Sequence, residues 1–157
     1  MPGPEQPRAE FDAAFPGLVM VACQAAQRFF RFDVSVVRIA VAETMAQTYE
    51  RWERVRRHDS PAGWVIVRTK DVCLEFLRAK SEIEDETISE HIVDTLDRLS
   101  RHQRDVAVLR YLMDCDEATT AVALRTTESK VNAVAQKARQ RMRGDLDGVY
   151  GVAEAPV

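Results

Sequence analysis

Apolar positions recur along this chain at steps of three and four, a period that predicts helices from end to end. From Phe11 onward, Phe15, Leu18, Val19, Ala22, Cys23, Ala26, Phe29 and Phe30 fall on one stripe, on a helix expected to open near Pro16. Asp33 is placed to cap a second helix, with Val37, Val41, Met45, Tyr49 and Trp52 along its buried line. Ser60-Pro61 sets an N-cap before a proline at the first helical position, opening a third helix that carries Trp64, Val65, Val72, Phe76 and Leu77. Residues 80–87 interrupt the pattern: they are acidic and polar, and Ile83 is their one apolar side chain. Ile88, Ile92, Leu96 and Leu99 then restore the stripe. Ser100 and Gln103 have the spacing of a capping box ahead of Val106, Leu109 and Leu112. Asp116 is placed to cap a short helix over 117–124. Thr127 does the same for a last helix with Val131, Val134, Ala135, Ala138 and Met142 on one face, and Gly144 is placed to end it.

No stretch alternates with the period of two that a half-buried strand requires, so the expected fold class is all-α. The expected organisation is a tail over 1–9, a helical bundle over 10–79, an acidic linker over 80–94, a second helical domain over 95–146 and a tail over 147–157. Pro and polar residues dominate the first eight positions, which supports the first of these.

Charge changes the picture because it is unevenly spread. The chain of 157 residues has a net charge of −3. Residues 82–97 hold seven acids and no Lys or Arg, whereas residues 125–143 hold six bases and one acid, Glu128. The basic run is suited to a polyanion despite the acidic total. Cys23, Cys73 and Cys115 are widely spaced and lack a Cys-x-x-Cys pair, the pattern of small buried hydrophobes rather than of a disulfide framework or zinc site. His58, His91 and His102 share no metal-ligand spacing with Cys or acids and are expected at the surface. No glycine-rich phosphate loop, nucleophile triad or catalytic carboxylate pair occurs, so neither an enzyme nor a cofactor is expected. No apolar run reaches membrane-spanning length and no secretory signal opens the chain, which predicts a cytoplasmic protein.

A short helix, a three-residue break and a longer basic helix make a helix-turn-helix pattern, in which the first helix props the second into a major groove. The surface left once the buried face is removed comprises Thr127, Ser129, Lys130, Asn132, Ala133, Gln136, Lys137 and Arg139. Upstream, Arg51, Arg54, Arg56 and Arg57 surround Trp52 and precede Trp64, a basic and aromatic mixture suited to unstacked bases.

The run Leu99-Ser-Arg-His-Gln-Arg-Asp-Val-Ala-Val-Leu-Arg-Tyr-Leu112 resembles the opening of region 4 of extracytoplasmic-function sigma factors. The likeness continues without gaps through Ala121, Leu124, Val131, Ala138, Arg139 and Arg143. The first half is similar to region 2 of that family on Tyr49-Glu-Arg-Trp52, Pro61-Ala-Gly-Trp64 and Leu74-Glu-Phe-Leu-Arg78. The resemblance implies a region-2-like bundle of three or four helices and a region-4-like helix-turn-helix, joined by a linker lying along the polymerase's RNA path. It implies promoter DNA and core RNA polymerase as partners, with an anti-sigma factor or another regulator beside them. On this reading Arg54, Arg56, Arg57, Trp64, Arg68 and Lys70 serve a −10 element, and the last helix serves a −35 element. The acidic run would mimic nucleic acid in a basic channel, or be an ordinary solvated linker face.

The sequence departs from the family where region 2 grips the polymerase clamp. An acidic and amide cluster is usual there, and the aligned stretch is Val36-Val37-Arg38-Ile39-Ala40-Val41-Ala42-Glu43. Val36, Ile39, Ala40 and Glu43 are therefore expected to form a partner face of altered chemistry. Asp71 stands where an Asn is usual, Arg125 replaces a turn glycine, and Asn132-Ala133-Val134 replaces Lys-Ser-Arg. Two further readings follow: a sigma-like regulator or adaptor without the standard polymerase grip, and an autonomous helix-turn-helix repressor or activator.

Overall fold

The computed structural model describes residues 5–31, 33–84 and 87–150. The helices are α1 (Gln6–Phe29), α2 (Val34–Glu50), α3 (Trp52–Val55), α4 (Pro61–Glu84), α5 (Thr87–Asp97), α6 (Arg101–Ala107), α7 (Glu117–Ala123) and α8 (Glu128–Tyr150), with a π-helical turn at Val108–Leu112 prolonging α6. Among the described residues there is no strand.

The starts of α2, α4, α6 and α7 follow from side chains that satisfy otherwise orphaned N–H groups. Asp33 accepts from Val36 N–H at 3.1 Å and opens α2. Ser60 Oγ accepts from Gly63 N–H at 2.9 Å at the head of α4. Ser100 and Gln103 form the expected reciprocal capping box, and Asp116 Oδ1 accepts from Thr119 N–H at 2.7 Å. Two boundaries differ from expectation. α1 starts at Gln6 and holds Pro16 inside it. Pro16 lies at an exposed position, where the missing N–H costs least, while Phe11 five residues earlier is buried against Tyr49 and Trp52, with ring centroids 5.0 and 5.4 Å away. α8 runs through Gly144 to Tyr150, so that glycine does not end the helix. A glycine inside a helix costs only about 1 kcal/mol relative to Ala, too little to terminate it alone.

α1, α2 and α4 pack on one another to make the N-terminal bundle, and α6, α7 and α8 make the C-terminal unit. Val106, Ala121, Val131 and Ala135 form a small core that fixes α6, α7 and α8 together. The larger core begins in the bundle at Phe11 and Leu18, passes through Val65, Val72 and Cys73 of α4, and continues into Leu109, Met113 and Ala138. α4 is therefore the shared element, packing on α1 and α2 and also on α5 and α7. The segment expected as a linker is helical on both sides of residues 85–86, α4 reaching Glu84 and α5 starting at Thr87.

Two details tie the units. A Cβ on Gly63 would meet the Ala123 backbone at 3.0 Å, so glycine lets α7 lie this close to the start of α4 without the backbone having to give way. Lys70 is 3% exposed and pairs with Asp105 of α6 and, at 3.1 Å, with Asp71.

Candidate nucleic-acid interface

The helix-turn-helix consists of α7, a turn over residues 124–127, and α8. Arg125 has φ 55°, the left-handed backbone that the glycine of related turns adopts without strain. Thr127 Oγ1 accepts from Lys130 N–H at 3.2 Å and starts α8. Hydrogen bonds from Thr119, its hydroxyl first and its backbone N–H second, hold the Asp116 carboxyl below its ordinary pKa, so the cap of α7 is ionised at neutral pH.

Along α8 the buried side chains are Val131, Ala135 and Ala138. Thr127, Ser129, Lys130, Asn132, Ala133, Gln136, Lys137 and Arg139 are all exposed, so the sequence-predicted surface lies on one side of the helix opposite its core stripe. Two of these are held by neighbours. Asn132 Nδ2 donates to Glu117 Oε2 at 3.1 Å, which orients the amide across the two helices. Arg139 donates to Tyr111 Oη at 3.0 Å, with its guanidinium 5.4 Å from the ring centre. Lys130 and Lys137 have no carboxylate partner among the described residues, which leaves their charge for an external anion.

The second basic surface belongs to α3 and the start of α4. Arg54 and Arg57 are exposed. Arg56 lies between Glu10 at 3.0 Å and Glu53 at 3.2 Å, and these hydrogen bonds, Glu10 first, push its pKa up further. It is thus an internal tie between α1 and α3. Arg68 stacks over Trp64, 5.3 Å from the ring centre, and reaches Asp71 at 3.9 Å. Lys70, expected on this surface, is instead buried in the pair with Asp105, because its position on α4 faces α6.

The expected partner face on α2 is also corrected in part. Ala40 is wholly buried, Val36 is half-buried, and Ile39 and Glu43 are exposed. Ala40 lies three residues after Val37 and four before Thr44, both buried, and so falls on the core side of the helix. The exposed aliphatic residues here are Val34 and Ile39, 70% and 56% accessible.

Sequence reasoning missed two cross-unit contacts. Nothing local marks Asp105 as the partner of Lys70, and His58 was expected simply at the surface. Arg125 Nε in fact donates to His58 Nε2 at 3.0 Å across 67 positions of sequence. Among the described residues no group of three or more His, Cys, Asp or Glu is placed to hold a metal ion, and no helix is long and apolar enough to cross a membrane.

An all-helical bundle followed by a helix-turn-helix, in two helical units, is the fold class read from the sequence. No family model matches the chain, and no curated protein does. Among solved structures it is similar to CnrH in complex with the cytosolic domain of CnrY, with a TM-score of 0.55 and 20% identity over 87% of this chain and 90% of that one. At that identity the likeness speaks to the fold.

Proposed function

We propose that the chain is a transcription initiation factor of the extracytoplasmic-function sigma type, binding core RNA polymerase and promoter DNA. The carrying observation is a basic recognition helix, exposed along one side, on a fold shared with CnrH, itself a sigma factor of that type. α8 serves the −35 element: Lys130 and Lys137 hold phosphates, while Asn132, Ala133 and Gln136 face base edges. Arg54, Arg57, Trp64 and Arg68 serve the −10 element, where single-stranded bases stack and arginines follow the backbone. Lys70 takes no part. The complex of CnrH with CnrY supports an anti-sigma factor as a partner of this chain as well.

The promoter reading requires movement. Elements centred near −10 and −35 are about 85 Å apart along B-DNA at about 3.4 Å per base pair. Here α4 and α7 touch at Gly63 and Ala123, so promoter engagement separates them.

A second reading rests on α2. Ile39 stands exposed in the stretch where clamp-binding acids are usual, which favours a sigma-like regulator acting through another protein. Run-off transcription with purified core enzyme, with and without the housekeeping sigma factor, separates the two. A start made with core alone supports the first reading, and an effect seen only with the housekeeping factor present supports the second.

A further inference from the structure

A crevice of about 750 Å³ separates the start of the N-terminal bundle's last helix from the helix-turn-helix turn, and Glu53, Arg54, Arg57, His58, Trp64 and Arg125 line it. Its volume lies within the range of small-molecule sites. Three arginines face one carboxylate, and that carboxylate is already engaged: Glu53 pairs with Arg56 at 3.2 Å and with Arg57 at 3.5 Å. Arg54 has no ion pair among the described residues. The surplus of positive charge is therefore left without an internal partner in a crevice built from both units.

His58 adds an independent sign that an acceptor is wanted there. Ser60 N–H points at its Nδ1 at 3.0 Å, and Arg125 Nε–H points at its Nε2 at 3.0 Å. A neutral imidazole has one acceptor nitrogen and one N–H, and its cation has no acceptor at all. One of the two donors therefore always faces an N–H. With Ser60 fixed at the head of α4, the mobile partner is the long exposed side chain of Arg125. An anionic oxygen between Arg125 and His58 would accept from both and remove the conflict, as a charge-assisted hydrogen bond stronger than either neutral contact.

We propose that this crevice binds a small polyphosphate anion, its phosphates held by Arg54, Arg57, Arg125 and His58. Trp64 in the wall offers a surface for a base when the polyphosphate is a nucleotide. The site exists only while α4 and α7 are together, so its ligand favours the closed arrangement. The inference needs only the described crevice and stands whether or not the chain directs transcription.

Calorimetric titration of the intact protein with inorganic triphosphate and with ATP, at fixed ionic strength without divalent metal, tests it. Saturable one-to-one binding is expected. Arg125→Gly, which suits the left-handed turn, is expected to keep the melting temperature and weaken binding about ten-fold, and Arg54→Ala to do likewise. Arg38→Ala removes equal charge from α2 and is expected to stay within about two-fold. Equal affinity for the two probes assigns a phosphate-only site; tighter ATP binding with quenched tryptophan fluorescence places the base at Trp64. The proposal is overturned by absence of saturation at about 1 mM, by Arg125→Gly binding like the wild type, or by Arg38→Ala weakening binding as much as Arg125→Gly. It is equally overturned if a single-stranded oligonucleotide binds through Arg54 while neither polyphosphate binds.

Discussion

Lys130 and Lys137 stand on the exposed side of α8 without ion pairs among the described residues, so their substitution removes positive charge open to an external anion and little else. Lys130→Ala and Lys137→Ala are each expected to weaken binding to all duplexes, with the salt slope of log K shallower by about 0.9 per lost contact. Asn132→Ala is expected to cost about 1–3 kcal/mol at one preferred base and leave that slope unchanged. Fluorescence anisotropy over a salt series distinguishes the two behaviours. The cysteines offer a second test at this scale. Burial pushes the Cys73 thiol up to about 12, and burial also pushes Cys115 up against the opposing charge of Arg28. Both remain protonated at pH 8, so iodoacetamide is expected to label the half-buried Cys23 first in the native protein, as read by mass spectrometry. The sign for stability follows. An unfolded Cys73 ionises in the ordinary thiol range and the folded one does not, so Cys73 costs nothing below that range. Stability then falls as pH rises toward about 12; Cys73→Ala removes the part of the alkaline loss due to this thiol.

Among the elements, two glycines with opposite surroundings give opposite expectations. A Cβ on Gly144 meets nothing within 4 Å, so Gly144→Ala is expected to stabilise α8 by about 1 kcal/mol. Gly63→Ala sets a methyl group against the Ala123 backbone and is expected to lower the melting temperature or loosen α4 from α7, seen as faster amide exchange in α7. The caps at Asp33, Ser60, Ser100, Asp116 and Thr127 were legible in the sequence because each is set by residues within three positions of one another. The left-handed turn at Arg125 was legible through the resemblance to a turn glycine. Pro16 and Gly144 misled because their local penalties are small beside the burial of Phe11 and the continuity of α8. α3 escaped notice since a four-residue helix has no period to read. Likewise Lys70 could not be assigned from sequence: its surroundings depend on α6, and a lysine next to Asp71 reads as surface until Asp105 is seen beside it.

For the whole molecule, one core running from α1 through α4 into the C-terminal unit, with the buried Lys70–Asp105 pair beside it, makes the closed arrangement a packed state. If the proposed function holds, promoter binding must supply the free energy that separates α4 from α7, with polymerase or DNA contacts as its source. On the second reading, the exposed Ile39 is where a protein partner would meet α2. Ile39→Asp is expected to abolish binding to a partner that buries this side chain, by introducing an unpaired charge, while leaving DNA binding unchanged. If the face meets the polymerase clamp instead, the same change is expected to keep or strengthen core binding, and pull-down with each partner reads the difference. On the proposed function this chain directs RNA polymerase to promoters, and the decisive measurement is run-off transcription on a genomic fragment library with purified core enzyme. That function requires starts that depend on this protein alone, weakened in the Lys130→Ala, Lys137→Ala double variant. It is contradicted if the same core enzyme, active with the housekeeping sigma factor, makes no start with this protein alone.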